Sequence, residues 1–275
     1  MAGRPGRPVT LPFETLRSCR QSRRGTRLGQ LRKGSALGLL RKTIVRRLKR
    51  HGIVRAPRHL REFEAEAARI AGRHRRQTLA DVEALRARYA APILGDVLVW
   101  DLIRALADVH DATDTQLGST SQLTHTINVA AAMERDGVAD EDMLVAALVH
   151  DTGKLLLTVG AAPENVLCMN EPVGEYAPDI GLDNCVFQWN HDEFAWSRYR
   201  EHVPDHLAWL LRYHSIYPDR CAPLMDGRDR EWTARYLKPF SHYDQDFKSP
   251  FRPADRPLEH WRTLIFDRFP RPIPF

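Results

Sequence analysis

The chain has 275 residues, 43% hydrophobic and 28% charged, enough for one substantial core; no apolar run approaches the roughly 20 residues that span a bilayer, so no membrane span is expected. The formal net charge of +6 hides a division: residues 1–60 carry 17 Lys and Arg against Glu14 alone, a net +16, and the remainder carries 24 against 34, a net −10. The four cysteines, Cys19, Cys168, Cys185 and Cys221, form no Cys-x-x-Cys pair, which argues against a disulfide framework or a cysteine zinc site and for a reducing, cytoplasmic setting.

Residues 1–55 read as a basic extension. They open on Gly3, Pro5, Gly6 and Pro8, carry Arg23-Arg24 and Arg46-Arg47, and hold one aromatic residue, Phe13. Such a segment cannot bury enough apolar surface to fold alone, so a disordered or surface-lying tail is expected. An over-extended start or targeting peptide, and an arm for nucleic acid or an anionic membrane, stay open as alternatives. The stretch has no aromatic interleaving, and no nucleic-acid partner is expected. Residues 56–275 form the second expected unit.

From about residue 60 the periodicity is helical. Leu79, Val82, Leu85 and Tyr89 form one apolar stripe, and Val97, Leu98, Leu102, Ile103 and Leu106 continue it after Pro92. Ser119 to Ser121 supply N-caps for a third helix with Leu123, Ile127, Ala130 and Ala131 on one face. A fourth starts at Asp140 and runs through VAALVHD to near Gly153. Pro204 suits the first turn of a helix through Leu207, Leu210 and Leu211 to His214. No alternating strand run stands out, so the class is all-α.

The chemistry-bearing residues are His125 on one predicted helix, the adjacent His150 and Asp151 at the end of the next, then His191, His214 and Asp244 at intervals further along the chain. Helical bundles assemble metal sites in this way, from inward side chains of neighbouring helices. Neighbours on a helix point about 100° apart, so His150 and Asp151 cannot both aim at one ion along one line. An Asp151 carboxylate that bridges two ions resolves this. Four imidazoles and two carboxylates suit iron, manganese or zinc rather than calcium or magnesium alone. Lys154, three residues after Asp151, places an ammonium on the same face, where it can hold a substrate oxygen, and is the candidate catalytic residue. His110-Asp111 and His191-Asp192 read as chance His-Asp neighbours. His202 and His206, separated by Pro204, read as surface residues.

Four segments carry a resemblance: HDTGK at 150–154, GLDNCVFQWNHDEF at 181–194, RYHSIYP at 212–218 and FSHYDQDFK at 240–248 resemble the signature segments of the inositol oxygenases. The WNHDEF and RYHSIYP segments separate that family from HD phosphohydrolases, which share only the earlier His and His-Asp. The resemblance implies an HD-type helical bundle with a metal site between its helices, and a mixed-valent Fe(II)/Fe(III) pair. One iron would take His125, His150, Asp151 and Asp244; the other would take Asp151 as bridge, His191 and His214. It further implies substrate contacts from Lys154, Ser215 and His214, with Asp111 and Thr113 on a loop facing the substrate. The implied reaction is O2-dependent cleavage of myo-inositol to glucuronate, with a small polyol and O2 as partners; separately, the apolar faces of the body look sufficient for a monomer.

Departures from the family pattern are local. No Gly-Asp pair stands at Cys168 to Glu171 before Pro172-Val173-Gly174, which leaves Asn170 or Glu171 to stand in for its carboxylate. The loop from Asp111 to His125 is about one residue longer, and Arg55 is the candidate for the early substrate-contacting arginine. The alternatives are an HD-domain oxygenase acting on another hydroxylated substrate, a metal-dependent HD phosphohydrolase, and a degenerate scaffold that only binds.

Overall fold

The computed structural model describes residues 58–275 except 112, 115, 118, 119, 247 and 249–252. The basic extension and Arg55 therefore lie outside the described residues. The described part is all-α apart from one two-stranded ribbon, β1 (Asp96–Val97) against β2 (Ile273–Pro274), antiparallel with Asp96 opposite Pro274 and Val97 opposite Ile273. No alternation marks it in the sequence because each strand is two residues long.

The first helices are α1 (Arg58–Arg75) and α2 (Leu79–Arg88). Thr78 and Asp81 form a reciprocal capping box at the start of α2. Val82 and Tyr89 of the predicted stripe are buried, but Leu79 is 46% exposed, because it sits in the first turn before the helix meets the core. The next helix, α3 (Val99–Ala105), starts later than the apolar run suggests, since Asp96 and Val97 are used in β1.

Helix α4 (Gln122–Arg135) is capped by Ser121, whose Oγ accepts from the Thr124 amide. Asp140 caps α5 (Glu141–Val149) by accepting from the amides of Asp142 and Met143. Residues Met143 to Val149 are all buried, as a uniformly apolar helix must be. The α-helix does not continue to Gly153 as expected. It tightens at His150 into a 3₁₀ stretch, His150–Val159, that ends on Gly160 in the left-handed conformation at φ 78°. This change of pitch sets the directions of His150, Asp151 and Lys154.

Asn190 caps α6 (His191–Tyr199), accepting from the amides of Asp192 and Glu193. Pro204 immediately precedes α7 (Asp205–Tyr213), which buries Leu207, Leu210 and Leu211. After the short α8 (Pro218–Cys221) and α9 (Gly227–Trp232), a π-helical turn at Thr233–Leu237 leads into α10 (Lys238–Asp246), and α11 (Arg262–Arg268) follows. Helix α4 packs on α5 and α10, α7 packs on α5 and α6, and α6 packs on the His150–Val159 stretch, so the faces of these segments meet at one place.

A buried ion pair locks two of those segments in register. Arg212 Nε donates to Glu193 Oε1 at 2.6 Å, with side chains 6% and 2% exposed. Glu193 lies two residues after His191 and Arg212 two before His214. Breaking one partner of such a pair leaves a buried charge unpaired, so it specifies the register of α6 against α7. Of the two histidines expected at the surface, His202 is exposed, but His206 is half-buried against Asp142 at 2.8 Å and stacks on Tyr236.

Candidate metal centre

The six residues named as ligand candidates lie together, all buried. Helix α4 supplies His125, the 3₁₀ stretch supplies His150 and Asp151, the first residue of α6 is His191, His214 caps the end of α7, and α10 carries Asp244. His125 Nε2 is 2.8 Å from Asp244 Oδ1 and 3.7 Å from Asp151 Oδ2. His150 Nε2 is 3.3 Å from Asp151 Oδ2 and 3.7 Å from Asp244 Oδ1. On the other side of Asp151, His191 Nε2 is 3.4 Å from Oδ1 and 3.3 Å from His214 Nε2.

These spacings have a simple meaning. Two ligands at right angles on an ion with bonds of about 2.1 Å are about 3 Å apart, and tetrahedral ones slightly more. The His150–Asp151, His191–Asp151 and His191–His214 spacings of 3.3, 3.4 and 3.3 Å fall in that range, and the two oxygens of Asp151 face different sets. Neither Asp151 oxygen nor His150 Nε2 makes a hydrogen bond, despite full burial; Lys154 Nζ stands 3.1 Å from Asp151 Oδ1 as an ion pair. Buried orphans of this kind are costly unless a cation satisfies them. The ring orientations agree: Nδ1 of His150 donates to the Ala147 carbonyl at 3.0 Å and Nδ1 of His214 to the Leu211 carbonyl at 3.0 Å, which leaves Nε2 of each as the lone-pair donor.

The electrostatics favour ligand-competent forms of both carboxylates. Burial raises the pKa of Asp151, but His150 and Lys154 outweigh it and hold the carboxyl well below its usual range. Burial likewise opposes Asp244, which Lys248 and His125 bring well below normal. Burial lowers His214 to about 4, so it is neutral at physiological pH. His191 is pushed well above its ordinary value: burial works against this, and the carboxylates of Asp192 and Asp151 override it.

The residues proposed to face substrate border the same cluster. Lys154 is fully buried, with Nζ 3.4 Å from Asp111 Oδ2 and 3.3 Å from Gln122 Oε1, and Asp151 and Asp111 hold its ammonium well above the usual pKa against the pull of burial. Asp111 Oδ1 accepts from the Thr113 amide at 2.8 Å and its hydroxyl at 2.6 Å, so the Thr113 hydroxyl is engaged with Asp111. Ser215 Oγ donates to Asp192 Oδ2. Of the two stand-ins for the missing family carboxylate, Glu171 pairs with Arg220 near the surface, whereas Asn170 is buried and donates to Asn190 Oδ1 at 3.4 Å.

Three neighbours were not legible as site residues. Asp192, set aside as a chance neighbour of His191, is fully buried with Oδ1 2.9 Å from His191 Nε2 and 3.5 Å from His214 Nε2. Its place in the WNHDEF segment was the available signal. Lys248 is a second buried ammonium, 2.8 Å from Asp114 Oδ2 and 3.8 Å from Asp244 Oδ1; its position four residues after Asp244 pointed to it. Gly153 has no side chain because the His191 backbone lies against it.

The family model for Myo-inositol oxygenase matches residues 66–168 and 162–275. The chain is 27% identical over 258 residues to a probable inositol oxygenase of Oryza sativa subsp. japonica, covering 76% of this chain and 83% of that protein. It is 27% identical over 242 residues to inositol oxygenase 1 of Arabidopsis thaliana, covering 71% and 77%, and 24% identical over 234 residues to the inositol oxygenase of Mus musculus, covering 71% and 81%. With a family match across residues 66–275, the chain belongs to the myo-inositol oxygenase family.

Proposed function

We propose that this protein is an inositol oxygenase that uses O2 to cleave the ring of myo-inositol to glucuronate. The observation that carries this reading is the division of the buried cluster by Asp151, one carboxylate oxygen facing His125 and His150 and the other facing His191. Imidazole and carboxylate donors of intermediate hardness fit iron, and the orphaned Asp151 oxygens and His150 Nε2 fit a cation. His125, His150, Asp151 and Asp244 would hold one iron, and Asp151, His191 and His214 the other, as a mixed-valent Fe(II)/Fe(III) pair. When bound, the pair supplies Lewis acidity toward polyol hydroxyls and redox chemistry with O2.

The chain's own residues then bind and orient. Lys154, clamped by Asp111, Asp151 and Gln122, presents a charged donor to a substrate oxygen beside the Asp151 bridge. Asp111 keeps Oδ2 free of hydrogen bonds and can accept from a substrate hydroxyl, while Thr113 holds its other oxygen in place. Ser215 and His214 border the second metal subsite, with Ser215 oriented by Asp192. Burial of the whole cluster excludes bulk water, which strengthens each of these contacts.

We further place the protein in the cytosol as a monomer, with residues 1–55 an extension outside the catalytic domain. In support, no described helix is long and apolar enough to cross a membrane. Cys168, Cys185 and Cys221 are free. The exposed large apolar side chains among the described residues, such as Leu79, Val159 and Tyr217, are scattered along the chain.

The test loads the full chain with iron, reduces it partly, and follows O2 uptake and acid product with a panel of inositol isomers and acyclic polyols. Uptake and glucuronate with myo-inositol are expected. A protein that carries the mixed-valent pair, shown by paramagnetic resonance, and consumes O2 with none of the panel refutes the inositol assignment.

A further inference from the structure

The stretch in which this chain parts from its family runs directly past the centre. Its Glu171 turns outward to Arg220 and its Asn170 toward Asn190. Cys168 turns the other way: its Sγ, a carboxylate oxygen of Asp151 and a ring nitrogen of His191 all lie within 4.8 Å of one another. Asp151 and His191 are fully buried and Cys168 half-buried, and the ammonium groups of Lys154 and Lys248 stand within electrostatic reach of the sulfur. The other described cysteines have no such company. Cys185 points its thiol at the Gly181 carbonyl and Cys221 is buried in the apolar core.

Distances and donor chemistry suit a ligand. Sulfur and nitrogen that share one ion, with bonds of about 2.3 and 2.1 Å, stand up to about 4.4 Å apart, comparable with the 4.8 Å within which these donor atoms lie. A thiolate is a strong ligand for iron, cobalt and zinc, and the Asp151 oxygens have no hydrogen bond to compete with such an ion. We propose that Cys168 is a sulfur ligand of the ion held by Asp151, His191 and His214, an inference that rests on the two-metal reading above. Ligation breaks the S–H bond, releases the proton to solvent and forms a metal–sulfur bond, with no electron transferred. It places sulfur where the family pattern has a substrate-contacting Gly-Asp pair, so this chain offers its polyol one fewer open position on that ion.

Cobalt(II) tests this without reference to turnover. The full chain, stripped of metal and reloaded with cobalt, is compared with Cys168→Ala, Cys168→Ser and, as a control, Cys221→Ala. Elemental analysis counts the bound metal, and near-ultraviolet absorption reads sulfur-to-cobalt charge transfer. Two cobalt ions per chain are expected, with an intense band in the parent and Cys221→Ala that is lost in both Cys168 variants. X-ray absorption on the parent alone, which does not depend on any variant folding, should show a sulfur neighbour at about 2.3 Å. Two cobalt ions with no sulfur neighbour, or a band unchanged by either Cys168 substitution, overturns the role of Cys168 and leaves the two-metal reading standing. Fewer than two cobalt ions in the parent overturns both.

Discussion

Gly153→Ala is the perturbation whose consequence follows most directly from the geometry. A Cβ at position 153 would stand 2.9 Å from the His191 carbonyl carbon and 3.0 Å from its Cβ, with the carbonyl oxygen nearer still, whereas ordinary contact begins at 3.4 Å. The obstacle is backbone, which has no rotamer to yield, so the His150–Val159 stretch and the start of α6 must part by about 1 Å. The two segments carry His150 and Asp151 on one side and His191 on the other, so the separation opens the Asp151–His191 distance of 3.4 Å. Overpacking of this kind costs about 1–3 kcal/mol of stability, and a misplacement of about 1 Å at a reacting centre costs on the order of 10²-fold in rate. The assay measures bound iron by elemental analysis, melting temperature and turnover on one preparation. The expected result is a lowered melting temperature, loss of the ion held through His191 before the other, and turnover down by about two orders of magnitude. A variant that keeps two ions, parental stability and parental turnover would refute the reasoning, because it would mean that the two segments do not touch as described.

Asp151→Ala should lose both ions, because both ligand sets share that carboxylate, whereas His125→Ala should retain the ion on the His191 side; elemental analysis of the two variants distinguishes them, and equal loss counts against a bridge. Chelation should lower the melting temperature, since it leaves the orphaned Asp151 oxygens and His150 Nε2 without a cation; for an ion present at about 1,000 times its dissociation constant the loss is about 4 kcal/mol, and a melting curve unmoved by chelator would argue against a resident metal. A chain beginning at Pro57 should retain iron and turnover, because residues 1–56 supply none of the ligand candidates; loss of both would give the basic extension a part in the catalytic domain and make Arg55 a candidate for the pocket.

Much of the fold and the centre was legible in the amino-acid sequence because it rests on local rules. Ser121, Asp140 and Asn190 are capping residues whose side chains satisfy amides two or three positions ahead, and the first two mark helix starts without any knowledge of packing. The uniformly apolar run from Met143 to Val149, entered from the Asp140 cap, reads as a buried helix, and the ligand candidates could be named because imidazoles and carboxylates recur at intervals along the chain. What only the tertiary structure decided depends on contacts between residues far apart in the chain. The Arg220–Glu171 pair, 49 residues apart, turns Glu171 away from the centre, the packing of α6 on the His150–Val159 stretch makes Gly153 obligatory, and the packing of α7 on α6 brings Asp192 to His214. The tightening from α to 3₁₀ at His150 settles which oxygen of Asp151 faces which ligand set. A side chain's direction follows from helix pitch and from the partner it meets across the core, and in this protein those partners lie on segments that the sequence keeps well apart.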